Sequence, residues 1–454
     1  MIEPSLPRDA TAAVAPRPSL LRSATSTFGT NIAVAILSFV NVLITARMLG
    51  VSGRGSVAFL TTIGFLSAQL ATLGIFQAVA NFGAREPQLA RALAGASLAL
   101  SLLSGTVAAS VVAVIVVLFP AVGGGSETGE LAIVLVAIPM LVLQPSLAQL
   151  LRAHYVFTLA NAAWVLTVVT NLILVALLGI LGALTVATAV ASWIAGQMLC
   201  TALLGWGVLR RLDGFGRFDA ALTRRMLGFG LKAYFGRVML LGNYRLDQWL
   251  LGGMAGPREL GLYSVAVAWV EALFFLPTAL TMAQRPDLVR ASREEAERQA
   301  SVVFRATLLI TFVLAVAMFA LAPFLCETLF GEAFRESVGM LRILIVGAFG
   351  IVALKLLGNA ITAQRKPMLE TAAISTAFVA IVALDLILIP THGGLGASLA
   401  SSVAYSVGGI AMALIFIRAL GGRLRDLLPR GNEIMWLWRR LRSRVGGSSA
   451  GAPQ

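Results

Sequence analysis

The chain has 454 residues, of which 58% are hydrophobic and 12% charged, with a formal net charge of +14. Such a composition is too apolar and too poor in charge for a soluble globular protein, and a mean hydropathy of +0.88 places most of the chain in a bilayer. The positive charge does not point to nucleic acid, because the basic residues form short clusters between long apolar runs, as membrane topology requires.

The N-terminal stretch, with four prolines in its first 23 residues and no continuous apolar segment, reads as a disordered tail over 1–25 without signal-peptide character. Twelve stretches long enough to span follow, near 27–47, 56–80, 92–119, 131–151, 156–179, 182–206, 227–252, 260–283, 301–325, 338–362, 368–389 and 394–417. Placing both termini in the cytoplasm puts 25 of the 35 Lys and Arg residues in cytoplasmic segments and four (Arg47, Arg54, Arg258, Arg335) outside, with six inside spans. Removing one span would swap every later loop and destroy that bias.

The polar connection over 210–225 divides the chain into a first half, 26–209, and a second half, 226–420, each with six spans. Both halves begin on the cytoplasmic face, so a repeat between them is parallel, about an axis along the membrane normal. ARMLGVSGRGSVAF (46–59) and QWLLGGMAGPRELGLYSVA (248–266) echo each other at corresponding places. The fold class expected is therefore an all-α polytopic membrane protein of two six-helix lobes. In the basic tail, 421–454, the stretch NEIMWLWRRLRSRV (432–445) reads either as a short amphipathic helix on an anionic leaflet or as a basic tail that fixes orientation.

The two cysteines, Cys200 and Cys326, and the two histidines, His154 and His392, form no C-x-x-C and no cluster, so neither a disulfide framework nor a metal site is expected. Ionisable residues at depth are confined to the second half: Lys232, Arg237, Arg245, Arg305, Arg342 and Lys355 against Asp247, Glu271 and Asp385. A cation facing lipid costs at least about 2.5 kcal/mol, so such groups turn to a partner or a wet cavity. On span seven, Arg237, Tyr244 and Gln248 fall on one line of the helical wheel, with Tyr234 and Arg245 beside it. Lys355 and Asn359 make a second polar patch one turn long on span ten. These seven residues are the expected cavity. Glu271, Asp247 and Asp385 are read as charge balance or as carriers of a proton or sodium ion, with no other cofactor. Arg342 and Asp385 lie near the outer ends of their spans, at positions where they can pair, and Arg305 and Lys232 near cytoplasmic ends, where long side chains snorkel.

ITARMLGVSGRGSVAFLTTIGFLSAQLATLGIFQAVANFGAR (44–85) resembles the opening hairpin of bacterial polysaccharide flippases, with its A-R-x-L-G turn and a second span ending in L-G-x-x-x-A. YRLDQWLLGGMAGPRELGLYSVAVAW (244–269) resembles the start of that family's second half. The resemblance implies a MATE-like carrier of the bacterial inner membrane, not an enzyme, that translocates an undecaprenyl-diphosphate-linked oligosaccharide for surface or exopolysaccharide assembly. It implies a monomer working with membrane lipids, a polysaccharide polymerase and assembly machinery. Arg suits a diphosphate, and Tyr234 and Tyr244 suit sugar faces. Two alternatives stand beside this reading: a cation-coupled drug exporter of the same superfamily, which would be expected to hold carboxylates at depth, and a membrane glycan polymerase or ligase. The outer segments carry no catalytic constellation that favours the second.

Overall fold

A computed structural model describes residues 20–119, 123 and 128–428, leaving the side chains of 20–28, 233, 235 and 237 outside the description. The tail helix expected at 432–445 and the leading stretch 1–19 lie outside the described residues. Among the described residues the chain is helical throughout, without a strand: α1 (Leu20–Ala71), α2 (Ile75–Arg85), α3 (Ala90–Leu118), α4 (Thr128–Ala153), α5 (Phe157–Ile180), α6 (Val186–Arg211), α7 (Ala220–Met254), α8 (Gly256–Leu273), α9 (Phe275–Arg290), α10 (Arg293–Pro323), α11 (Ser337–Ala363), α12 (Pro367–Leu420) and the short α13 (Leu424–Leu427). Nine stretches among them are long and apolar enough to cross a membrane, so this is a multi-pass membrane protein. α7 is as long but is more polar than the nine.

Two of the helices are too long for a single crossing. α1 with 52 residues and α12 with 54 would each measure about 80 Å at 1.5 Å per residue, against a hydrocarbon core of about 30 Å. Each contains a glycine that leaves helical geometry: Gly50 (φ 68°, ψ −173°) and Gly393 (φ 54°, ψ −131°). At Gly393 the chain folds back, for a Cβ on Gly396 would run into the carbonyl of Leu388, eight residues earlier. A straight helix would hold those two residues about 12 Å apart. The kinks fall inside the stretches where the sequence predicts turns. A third break follows α1, where Leu73 (φ 46°) and Gly74 (φ 74°) take left-handed conformations before α2 resumes.

Helix starts follow their caps. Thr185 and Thr188 form a capping box at α6, the Asp219 carboxylate accepts from the Leu222 amide at α7, and the Ser292 hydroxyl accepts from the Glu295 amide at α10. α6 runs on to Arg211 and α7 begins at Ala220, so the irregular part of the 210–225 connection is shorter than the sequence suggests.

The apolar cores are unequally shared. At the end holding Gly50, Gly256 and Gly393, a single core takes Phe59, Leu60, Tyr263, Phe330, Phe334 and Ile389 from both halves. Towards the opposite end each half keeps its own: Ile75, Leu93, Leu150 and Leu204 in the first, Leu288, Leu356, Met412 and Phe416 in the second. α7 belongs to two of these cores. Leu222 and Met226 sit in the first half's cluster, and Leu251 in the shared one.

The joint between the halves is closest where α1 meets α8. A Cβ on Gly55 would strike the Pro257 carbonyl carbon at 2.6 Å, and one on Gly261 the Val51 carbonyl carbon at 2.9 Å. Polar contacts line the same end. Arg47 donates to the carbonyls of Thr328 and Leu329, both at 2.6 Å, just past a π-helical turn at Phe324–Thr328. Arg258 donates to Glu336 at 2.7 Å, holding that carboxyl below the usual carboxylate range. The Gly394 amide donates to Glu259 at 2.9 Å.

Leucine at Gly55 or Gly261 should therefore cost about 1–3 kcal/mol through overpacking. Thermal unfolding in detergent is the measurement. A midpoint unchanged by both substitutions would show that the backbones do not touch there.

Candidate functional site

α7 presents different chemistry on its different sides. Asn243, Asp247 and Gln248 are buried within the protein, whereas Tyr244 and Arg245 are partly exposed. Arg245 and Asp247 are two residues apart and cannot pair on a helix. Each finds another partner.

Arg245 pairs with Glu271 on α8, NH2 to Oε1 at 3.1 Å, with both side chains about one-third exposed (32% and 36%). Glu271 thus balances a cation. Lys355 on α11 sits over the ring of Tyr244, Nζ 5.6 Å from its centroid, within the field of Glu271. Tyr405 from α12 packs beside Tyr244, ring centroids 6.4 Å apart.

Tyr244, Lys355 and Tyr405 border a cavity of about 210 Å³ whose polar lining also includes Asn243, Asn359, Arg285 and Glu370; Arg245 and Glu271 are not part of its lining. Asn359 is already engaged at both ends of its amide. Its Oδ1 accepts from Arg285 at 2.9 Å, and its Nδ2 donates to the Thr281 carbonyl at 3.2 Å. Thr362 donates to Glu370. The Asn243 Oδ1 is buried and lacks a partner among the described residues.

Arg54 is the residue that sequence reasoning missed. Read as an exposed residue of the first outer loop, it instead follows the Gly50 kink into the protein, within electrostatic reach of Arg245. Its Nε is buried without a hydrogen-bond partner among the described residues. The signal lay in its neighbour Gly55, whose lack of a side chain lets α8 approach. Arg245 and Lys355 thus share the field of Glu271, Arg245 lies also in the field of Asp247, and Arg54 lies within reach of Arg245.

The remaining expected site residues are placed as follows. Tyr234 donates to the Leu70 carbonyl on α1, and Gln248 accepts from Thr62 at 3.3 Å, so both tie α7 to the first half. Gln248 and Tyr234 are not among the residues lining the polar cavity. Arg237 lies in α7, but its side chain is outside the described residues. The Arg342–Asp385 pairing open to the sequence is not among the ion pairs of the described residues; Arg342 stacks on Phe319 at 4.8 Å instead. Arg305 does not snorkel outward. It is 4% exposed and donates to the Asp426 carbonyl.

On the buried side of α7 a second polar centre forms. Asp247 Oδ2 accepts from the Tyr263 hydroxyl and from Ser401 at 3.2 Å, and its Oδ1 from the Gln248 amide at 2.7 Å. Asp385 on α12, fully buried, lies within the field of Asp247, and both its oxygens lack a partner among the described residues. Two buried carboxylates in each other's field cannot both stay ionised without a counter-charge. Arg245 supplies such a charge to Asp247, and none acts on Asp385 among the described residues.

Removing the Tyr263 hydroxyl (Tyr263→Phe) should lower stability by about 1–3 kcal/mol, because a buried carboxylate loses a donor. Asp385→Asn should leave stability unchanged or raise it, since no bond is lost. Equal losses for both in thermal unfolding at neutral pH would show that Asp385 is bonded after all.

The polysaccharide biosynthesis protein family profile matches residues 20–283, more than half of the chain. No curated protein matches it in sequence. Among solved structures, the lipid II flippase MurJ in an inward closed conformation aligns over 95% of this chain and 94% of its own, with a TM-score of 0.71 and 14% identity. An inward-facing MATE family multidrug resistance transporter of the MOP superfamily covers 94% and 100%, with a TM-score of 0.69 and 16% identity. A MOP superfamily transporter from Pyrococcus furiosus, described by the reverse polarity of its binding pocket, covers 89% and 96%, with a TM-score of 0.61 and 15% identity. These likenesses establish a MATE-like fold.

Proposed function

Because the chain belongs to the polysaccharide biosynthesis protein family, we propose that it is a flippase moving an undecaprenyl-diphosphate-linked oligosaccharide across the bacterial inner membrane. The observation that carries this reading is that Arg54, its Nε without a partner among the described residues, and Lys355, on the wall of the polar cavity, flank the Arg245–Glu271 pair, which is about one-third exposed. A diphosphate cannot cross hydrocarbon bare, and guanidinium groups offer it short, charge-assisted bonds. In the resting state Glu271 occupies Arg245. An arriving diphosphate competes for that guanidinium and finds Arg54 with its Nε unsatisfied. Tyr244 and the cavity amides then meet the first sugars.

The layout that suits this task is twelve crossings, with α1 and α12 each contributing two and α8 joined to α9 contributing one. They form lobes over 26–209 and 226–420, and both termini lie in the cytoplasm. The core shared at the Gly50 and Gly393 end would face the outside and part when the carrier opens outward, while the separate cores of the opposite end approach. The Asp247–Asp385 centre supplies the coupling, filling with a proton or sodium ion in one state and emptying in the other. No further cofactor is required. A monomer suffices, with a polymerase and assembly machinery receiving the product.

A drug exporter of the same superfamily fits less well, because cationic drugs would meet surplus positive charge. A glycan polymerase or ligase fits less well still. Neither the cavity nor the described loops hold a nucleophile–base pair beside an exposed glycan path.

The test is leaflet-resolved labelling of lipid-linked repeat units in cells carrying Arg54→Gln together with Arg245→Gln. Losing two charge-assisted contacts, at about 1.5 kcal/mol or more each, should cut outer-leaflet delivery at least tenfold. Arg335→Gln, on the exposed loop, serves as the control. Normal delivery in the double variant would sink the proposal, and altered dye resistance in its place would favour the exporter.

A further inference from the structure

A cavity of about 560 Å³, larger than the polar one, lies on the other flank of α7. Its walls are α1 beyond the Gly50 kink, α3 and α7, represented by Ile63, Leu70, Leu103, Val111, Leu227 and Trp249. Ser67 and Ser104 are its only hydroxyl residues, so it offers almost nothing to hydrogen-bond.

Its height is informative. Leu227 and Trp249 both line it and are 22 residues apart on one unbroken helix, about 33 Å at 1.5 Å per residue. The α3 wall, from Leu100 to Val116, gives about 24 Å, so the slot reaches well past one leaflet of a core about 30 Å thick. A phospholipid acyl chain reaches only the midplane and would fill half of such a slot. A chain that fills it end to end must exceed one leaflet.

The slot also runs up to the cation cluster. Trp249 is one helical turn past Arg245, and Ile63 lies nine residues past Arg54 on the same helical arm. A diphosphate held by those arginines would have its tail rooted at the mouth of the slot. We propose that this slot seats the polyisoprenoid tail of the carrier lipid. The tail then does not travel through bulk lipid; it keeps a guided apolar track while the head group changes sides. This inference rests on the proposed function, and its test separates the two.

The full-length protein is placed in phosphatidylethanolamine nanodiscs with a diazirine-bearing undecaprenyl diphosphate, a two-isoprene diphosphate bearing the same group, or a diazirine phosphatidylethanolamine. Labelled peptides are mapped by mass spectrometry. The long-chain probe should label 63–73 and 100–116 at least fivefold more than the phospholipid probe, and excess unlabelled undecaprenyl diphosphate should displace it. Filling the slot with Ala108→Trp should weaken long-chain binding about tenfold and leave two-isoprene binding unchanged, which also shows that the variant is folded. Equal labelling by the phospholipid, or labelling that does not compete, would overturn the tail site while undecaprenyl diphosphate binding kept the flippase reading. Failure of undecaprenyl diphosphate to bind at all would overturn both.

Discussion

A guanidinium in a helix surrounded by hydrocarbon must have a counter-charge or water, and Arg245 has Glu271. That single pair organises the molecule. It ties α7 to α8, sets Tyr244 and Lys355 against the same cavity, and leaves Arg54 close by with its Nε unsatisfied. Glu271 and Asp247 both act on Arg245, and the Arg54 Nε has no partner among the described residues. A pair that was fully buried would be too costly to open. One about a third exposed can exchange its partner.

The helices were legible because their apolar runs and glycine turns are strong local signals. Gly50 and Gly393 break their helices where the turns were expected, and Tyr244 and Lys355 do meet at a cavity that Asn359 also borders. What could not be read was which neighbour each polar group would face. Arg54 looked like a loop residue because its flanking sequence is glycine-rich, and hydropathy cannot tell a solvated turn from one folded beneath another helix. Gln248 shared a wheel position with Tyr244, yet Thr62 from the other half claims it. Arg342 and Asp385 matched in depth but not in direction, which a span-by-span reading does not contain.

α7 separates two kinds of electrostatics that a carrier needs to keep apart. Its partly exposed side holds surplus positive charge beside a cavity, and its buried side holds Asp247 with hydroxyl donors and the unbonded Asp385. Only one turn of helix lies between them. A change of charge state on one side is therefore felt on the other with little screening. The two sides of α7 are thus electrostatically coupled through one helix.

The same helix is anchored at one end in the first half's core and at the other in the core common to both. Between those anchors lie Gly228, Gly230, Gly236 and Gly242, each of which weakens a helix by roughly 1 kcal/mol relative to alanine. A rod moored at both ends and softened along its length behaves as a leaf spring. Displacement of one half need not tear α7 from its seat; it can be stored as curvature and returned when the displacement reverses.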